Sequence, residues 1–117
     1  MIDLLAKSGE LQGVPLTGAK GVKLGAVREI FVDMRSGQIR FLCIEAAGLL
    51  GGSGKYHPVP WSAAQYDELE QAFQIDSDKT AFKQSPSYDR EQLANPNYNW
   101  AEQVERYFAP ADGPPVG

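Results

Sequence analysis

From Leu11 to Asp76, short apolar stretches alternate with turn residues at close, regular intervals, and this pattern narrows the fold more than any other feature of the chain. Runs of that length, bounded by Gly, Pro, Asp and Ser, read as strands of a mostly β domain. The best-marked element is a hairpin, Gly25 to Met34 and Gln38 to Ala47. Its connector Arg35-Ser36-Gly37 places Gly37 in the left-handed conformation that closes short hairpins. Strict alternation puts Ile30, Val32 and Met34 on one face of the outgoing strand, with Phe31 and Asp33 on the other. On the returning strand Ile39, Phe41 and Cys43 oppose Arg40, Leu42, Ile44 and Ala46. Apolar groups on both faces predict either a curved strand that lines an interior and also lies beneath a covered outer surface, or a strand buried in a two-layer sandwich.

Around this hairpin the pattern is shorter. Leu11 to Leu16 reads as a first strand in which Pro15 suits an edge or a strand end, and Thr17 to Gly21 as a turn using Gly18 and Gly21 for positive φ. Tyr56 to Trp61 returns as a strand with His57, Val59 and Trp61 on one face. Pro58 and Pro60 lack amide donors and mark it as an edge or bulged strand. Gln65-Tyr66-Asp67 and Ala72 to Asp76 close the β region around an acidic turn, Glu68-Leu69-Glu70.

Beyond residue 77 the pattern turns helical. Asp78 can cap a short helix through Lys83, and Asp89-Arg90-Glu91-Gln92 has the form of a capping box. A last helix starts near Asn95-Pro96 or at Asn99 and carries Trp100, Val104 and Tyr107/Phe108 as an apolar stripe. The expected organisation is a lead-in over 1–10, a barrel domain over 11–84, a helical extension over 85–109 and a flexible tail over 110–117.

Charge is unevenly placed. Residues 1–60 hold seven Lys/Arg against five Asp/Glu, and residues 61–117 hold four against ten, giving the −4 of the whole chain. Nucleic-acid binding needs a basic face that displaces phosphate counterions, so direct contact with nucleic acid is not expected. No apolar run approaches the ~20 residues of a spanning helix, and the amino terminus lacks the pattern of a signal peptide. One cysteine, Cys43, excludes an internal disulfide and fits a cytoplasmic setting.

Three pieces in order, Leu24-Gly25-Ala26-Val27, Val32 to Ile39 and Lys55-Tyr56-His57-Pro58-Val59-Pro60-Trp61-Ser62-Ala63, resemble a PRC-barrel domain. That small β-barrel occurs in the H subunit of photosynthetic reaction centres and in a ribosome maturation factor. The likeness covers about residues 11 to 82 and continues into Pro86-Ser87-Tyr88-Asp89, as in stand-alone bacterial members. It implies a core built on Val32, Ile39, Phe41, Ile44, Val59, Trp61, Phe73 and Ile75, with Trp61 closing one barrel end. The H subunit's membrane helix and the maturation factor's second barrel have no counterpart here, so neither role transfers directly.

Candidate chemistry is sparse. The glycine-rich stretch from Gly48 to Lys55 lacks the spacing and the hydroxyl of a phosphate-binding loop and reads as a connector. His57 has no evident orienting partner, and Cys43 sits among apolar residues as an unreactive thiol. One histidine and one cysteine make no zinc site, and the Asp67, Glu68 and Glu70 carboxylates read as a solvated tip. No catalytic residue, cofactor or metal is expected. The aromatic helix and the glycine-rich loop remain as the candidate interaction surface: Leu49, Leu50, Lys55, Tyr98, Trp100, Val104, Tyr107 and Phe108. The aromatic helix packs either on its own barrel or on a second copy; aromatic anchors are typical of interface cores, so a homodimer is the working expectation, with an unidentified protein partner besides. The family likeness implies a non-catalytic interaction or scaffolding module. The alternatives are a ribosome-assembly-associated factor binding a ribosomal protein and a peripheral subunit of a membrane complex.

Overall fold

A computed structural model describes residues 4–47 and 54–109. Its framework is a six-stranded sheet: β1 (Pro15–Thr17), β2 (Lys23–Val32), β3 (Ile39–Ala46), β4 (Tyr56–Pro60), β5 (Gln65–Asp67) and β6 (Ala72–Gln74). The spatial order is β4-β3-β2-β1-β6-β5, antiparallel throughout except for the parallel pair β1–β6. Four short helices complete the chain: α1 (Ser8–Leu11), α2 (Lys79–Gln84), α3 (Arg90–Leu93) and α4 (Trp100–Tyr107). The expected strand from Leu11 therefore starts only at Pro15, and Leu11 instead closes α1.

The expected hairpin is present as β2 and β3. Asp33 shapes its turn: Oδ1 accepts from Arg35 N at 2.8 Å and Ser36 N at 3.3 Å, and Gly37 adopts φ +79°. Those amides and Arg40 hold the Asp33 carboxyl below its ordinary pKa. The ladder is not regular, however. Val27 pairs with Ile44 and Glu29 with Cys43, so Arg28 is an extra residue in β2. Phe31 pairs with Phe41 and Val32 with Ile39, so Arg40 is an extra residue in β3. Each bulge reverses the inside–outside alternation. Val27, Ile30, Ile39, Leu42 and Ile44 consequently share the interior cluster, while Phe31, Phe41 and Cys43 face the other way.

The sheet curls tightly. Trp61, directly after β4, meets Phe73 on β6 at 5.7 Å between ring centroids, although four strand spacings of ~4.8 Å would separate those strands in a flat sheet. Curling buries Leu16, Leu24, Val27, Leu42, Ile44, Val59, Phe73 and Ile75 in one cluster, with Phe82 of α2 fully enclosed beside them. The curl stops short of closure: β4 and β5 end the sheet as two edges without pairing to each other.

Two expected core residues lie elsewhere. Val32 is 46% exposed, because the bulge carries the end of β2 out to the turn. Trp61 is 42% exposed, because a 3-10 turn over Trp61–Ala63 takes it out of the strand and rests its ring edgewise on Phe73. Gly18 differs from expectation too. Its φ is −113°, and space rather than conformation requires glycine, since a Cβ there would overlap the Ser77 carbonyl. Positive φ falls instead on Lys20 and Gly21.

The two edges are finished differently. Tyr56 and Tyr88 exchange both backbone hydrogen bonds at 2.9 Å along the outer side of β4. Alternation turns the nitrogens of Pro58 and Pro60 to that same side, where they offer no donor. The other edge, β5, is only three residues long and leads into the acidic turn, where Asp67 Oδ1 accepts from Leu69 N and Glu70 N.

Candidate interaction surface around the last helix

Short-range capping builds the extension. Asp78 Oδ1 accepts from Ala81 N at 2.7 Å and starts α2. Asp89 and Gln92 exchange bonds of 2.8 and 2.9 Å, the expected capping box, and start α3. In α4, Trp100 and Val104 are one turn apart and lie on the face turned to the sheet. The bulged register has placed Phe31, Phe41 and Cys43 there to receive them. The Trp100 ring stands edge-on to Phe31 and Phe41, each 5.0 Å between centroids, with Tyr88 and Tyr98 at 6.2 Å. At its rim, Tyr88 Oη donates to Gln103 at 2.6 Å and Arg40 reaches Glu105 at 3.3 Å.

This packing corrects the expectation for two candidate interaction residues. Trp100 is 5% exposed and Val104 is fully buried, both against the chain's own sheet. A closed barrel would have little apolar outer surface to offer a helix, but the bulges supply one. Phe108 is half-buried and touches both apolar clusters. Tyr98 and Tyr107 remain open to solvent, at 50% and 43% exposure. Lys55 is exposed beside β4, and Leu49 and Leu50 lie outside the described residues.

Two grooves lie where the helical extension meets the sheet, one beside α3 and Tyr98 and one at the far end of α4. One, of about 610 Å³, lies over the outer face of β2 and β3, between the Arg28–Glu45 ion pair, Glu29, Arg90 and the rings of Phe31 and Tyr98. Tyr98 holds φ +49° there, an uncommon conformation for a residue with a side chain. The second, of about 850 Å³, opens at the carboxy-terminal end of α4. Its floor includes Ile75 and Phe108, its walls include Tyr107 and Ala81, and Asp76 and Asp78 are its charged lining residues. Tyr107 Oη donates to Ala81 O at 2.7 Å, fixing that wall to α2.

The groups most suited to chemistry are embedded in the packing. Burial, with the charge of Glu29 beside it, pushes the Cys43 thiol up to about 12. His57 is buried and stacked on Phe82, 4.6 Å between centroids. The Ser85 hydroxyl donates its one proton to Phe82 O at 2.6 Å, so its oxygen accepts from His57 Nδ1–H at 2.8 Å. Burial holds the imidazole below its ordinary pKa, against the smaller opposing effect of the Ser85 backbone. Sequence reasoning placed His57 on the interior face but gave no sign of Ser85, 28 residues away. Among the described residues no three His, Cys, Asp or Glu side chains converge as metal ligands, and no helix is long and apolar enough to cross a membrane.

The order of β1 to β6, the proline-bearing edge and the first turn of α2 all lie within residues 6–82, which match the PRC-barrel domain. The chain belongs to the PRC-barrel family. Comparison with curated proteins gives no match. The family match ends at Phe82, so α3 and α4 follow the PRC barrel as an addition that clads its outer face. Both grooves lie where this addition meets the barrel.

Proposed function

We propose that this PRC-barrel protein is a non-catalytic interaction or scaffolding module that works through the surfaces around α4. The observation that carries the reading is the pair of open grooves where the helical extension meets the sheet, each edged by a solvent-facing tyrosine, Tyr98 on one and Tyr107 on the other. Aromatic residues with one apolar side and one polar tip are favoured at protein interfaces. The buried Cys43 thiol and the packed His57 ring fit structural roles better than reactive ones. A homodimer through Trp100 and Val104 loses its support, because exposing those side chains would require α4 to leave its own sheet.

In-cell photo-crosslinking tests this reading, with a photoreactive residue placed in turn at Tyr98, Tyr107, Lys55 and Leu69. The proposal expects one recurrent protein adduct from at least one position around α4 and none from Leu69 at the distant turn. Adducts spread evenly over all four positions, or absent from all, would contradict it.

A further inference from the structure

We infer that the groove at the carboxy-terminal end of α4 receives an extended, lysine- or arginine-bearing segment of a partner protein. This inference rests on the interaction reading above and narrows it to one surface and one partner chemistry. Shape comes first. At about 850 Å³ the groove is more capacious than the one beside Tyr98. Ala63 and Ala81 line it beside Ile75 and Phe108, and such small side chains let a peptide backbone approach closely over an apolar floor. Tyr107 is anchored on Ala81 O and stands edge-on to Phe108, 5.3 Å between centroids, so one wall is fixed before anything binds.

Charge selects the occupant. The charged side chains lining the groove are Asp76 and Asp78, with no lysine, arginine or histidine among the described lining residues. Lys20 lines only a smaller adjoining hollow of about 300 Å³. Asp76 makes no hydrogen bond or ion pair among the described residues, whereas Asp78 uses one oxygen to cap α2. The end of α4 that reaches the groove is its carboxy terminus, the negative end of the helix dipole. A cationic side chain is therefore favoured and an anionic one opposed. The same sign disfavours two other occupants: a second copy carries a net charge of −4, and Pro110 to Gly117 carries Asp112 as its sole charged side chain.

The test uses the full chain and two fluorescent ten-residue peptides of alternating Ala and Leu, one interspersed with three lysines and the other with three glutamates. Anisotropy should detect the basic peptide, with at least tenfold weaker binding of the acidic one. Amide chemical-shift changes should map to Asp76, Ala81, Tyr107 and Phe108. The D76N/D78N variant keeps a capping side chain on α2 and should weaken the basic peptide about tenfold, as should a rise from 50 to 500 mM salt. Equal binding of both peptides, shifts confined to the Tyr98 groove, or unchanged affinity in D76N/D78N would overturn the inference. So would basic-peptide binding seen only with a chain ending at Ala109, or only at concentrations where the chain is monomeric, since the tail or a second copy would then be the occupant. Crosslinked adducts at Tyr98 alongside any such result would leave the broader interaction reading standing while removing this groove from it.

Discussion

Trp100 joins the barrel to its helical cladding, and its indole carries an internal conflict. Four aromatic rings surround it, yet its buried Nε1–H has no acceptor among the described residues. Leaving such a donor unpaired is unfavourable, so the two halves of the side chain act in opposite directions. Trp100→Ala should cost about 3–5 kcal/mol through lost contacts. Trp100→Phe should cost less than about 1.5 kcal/mol, because it keeps an aromatic ring and removes the orphaned donor. Urea unfolding of the two variants checks the pair; equal losses would show that the donor is not a liability.

His57 makes a second residue-scale prediction, with a sign that follows from burial. Its folded pKa lies below the ordinary histidine value of ~6.5, so the unfolded chain binds the proton more readily. The contribution is constant above pH 6.5 and falls as pH drops toward the folded pKa. Asp33, whose pKa is lowered from 3.8, affects stability only in a more acidic window. Denaturation midpoints between pH 7.5 and 5 should therefore decline, and His57→Asn, which retains a donor for Ser85, should flatten that decline. A wild-type midpoint that is flat across this range would refute the burial argument.

At the scale of elements, the bulges at Arg28 and Arg40 decide which face each side chain serves. Strict alternation read from sequence put Ile39 with Phe41 and Cys43, whereas the ladder puts Ile39 inside and leaves the other two beneath α4. A bulge is a property of two strands in register, so neither strand alone reveals it. The caps of α2 and α3 were legible because each is settled within four residues. Gly25 belongs to the same strand and has a similar non-local cause. A Cβ there would overlap the Glu45 carbonyl oxygen and come within 2.8 Å of Ile44 Cγ2. Gly25→Ala should cost about 1–3 kcal/mol through overpacking. Gly9→Ala, with nothing within 4 Å, serves as the open-space comparison in the same thermal melts.

Across the whole molecule, the sheet curls without closing and is clad on one outer face by its own carboxy-terminal helices. The curl was foreshadowed by the apolar residues on both faces of β3; of the core that the family likeness implies, Ile44, Val59, Phe73 and Ile75 lie in the interior cluster, whereas Phe41 is buried beneath α4. The destination of α4 was not foreshadowed. Its apolar stripe specifies a buried face but not what covers it, and the receiving surface is made by residues Phe31 to Cys43, more than fifty positions earlier. The central claim is that barrel and cladding form one cooperative unit within a single chain. Native-state hydrogen exchange tests it most directly, by comparing amides of Val104 and Phe108 with those of Leu42 and Ile44 in β3 at two protein concentrations. The account predicts strong protection of Val104 and Phe108 that does not change with concentration. Unprotected α4 amides beside a protected β3, or α4 protection that appears only at the higher concentration, would contradict it.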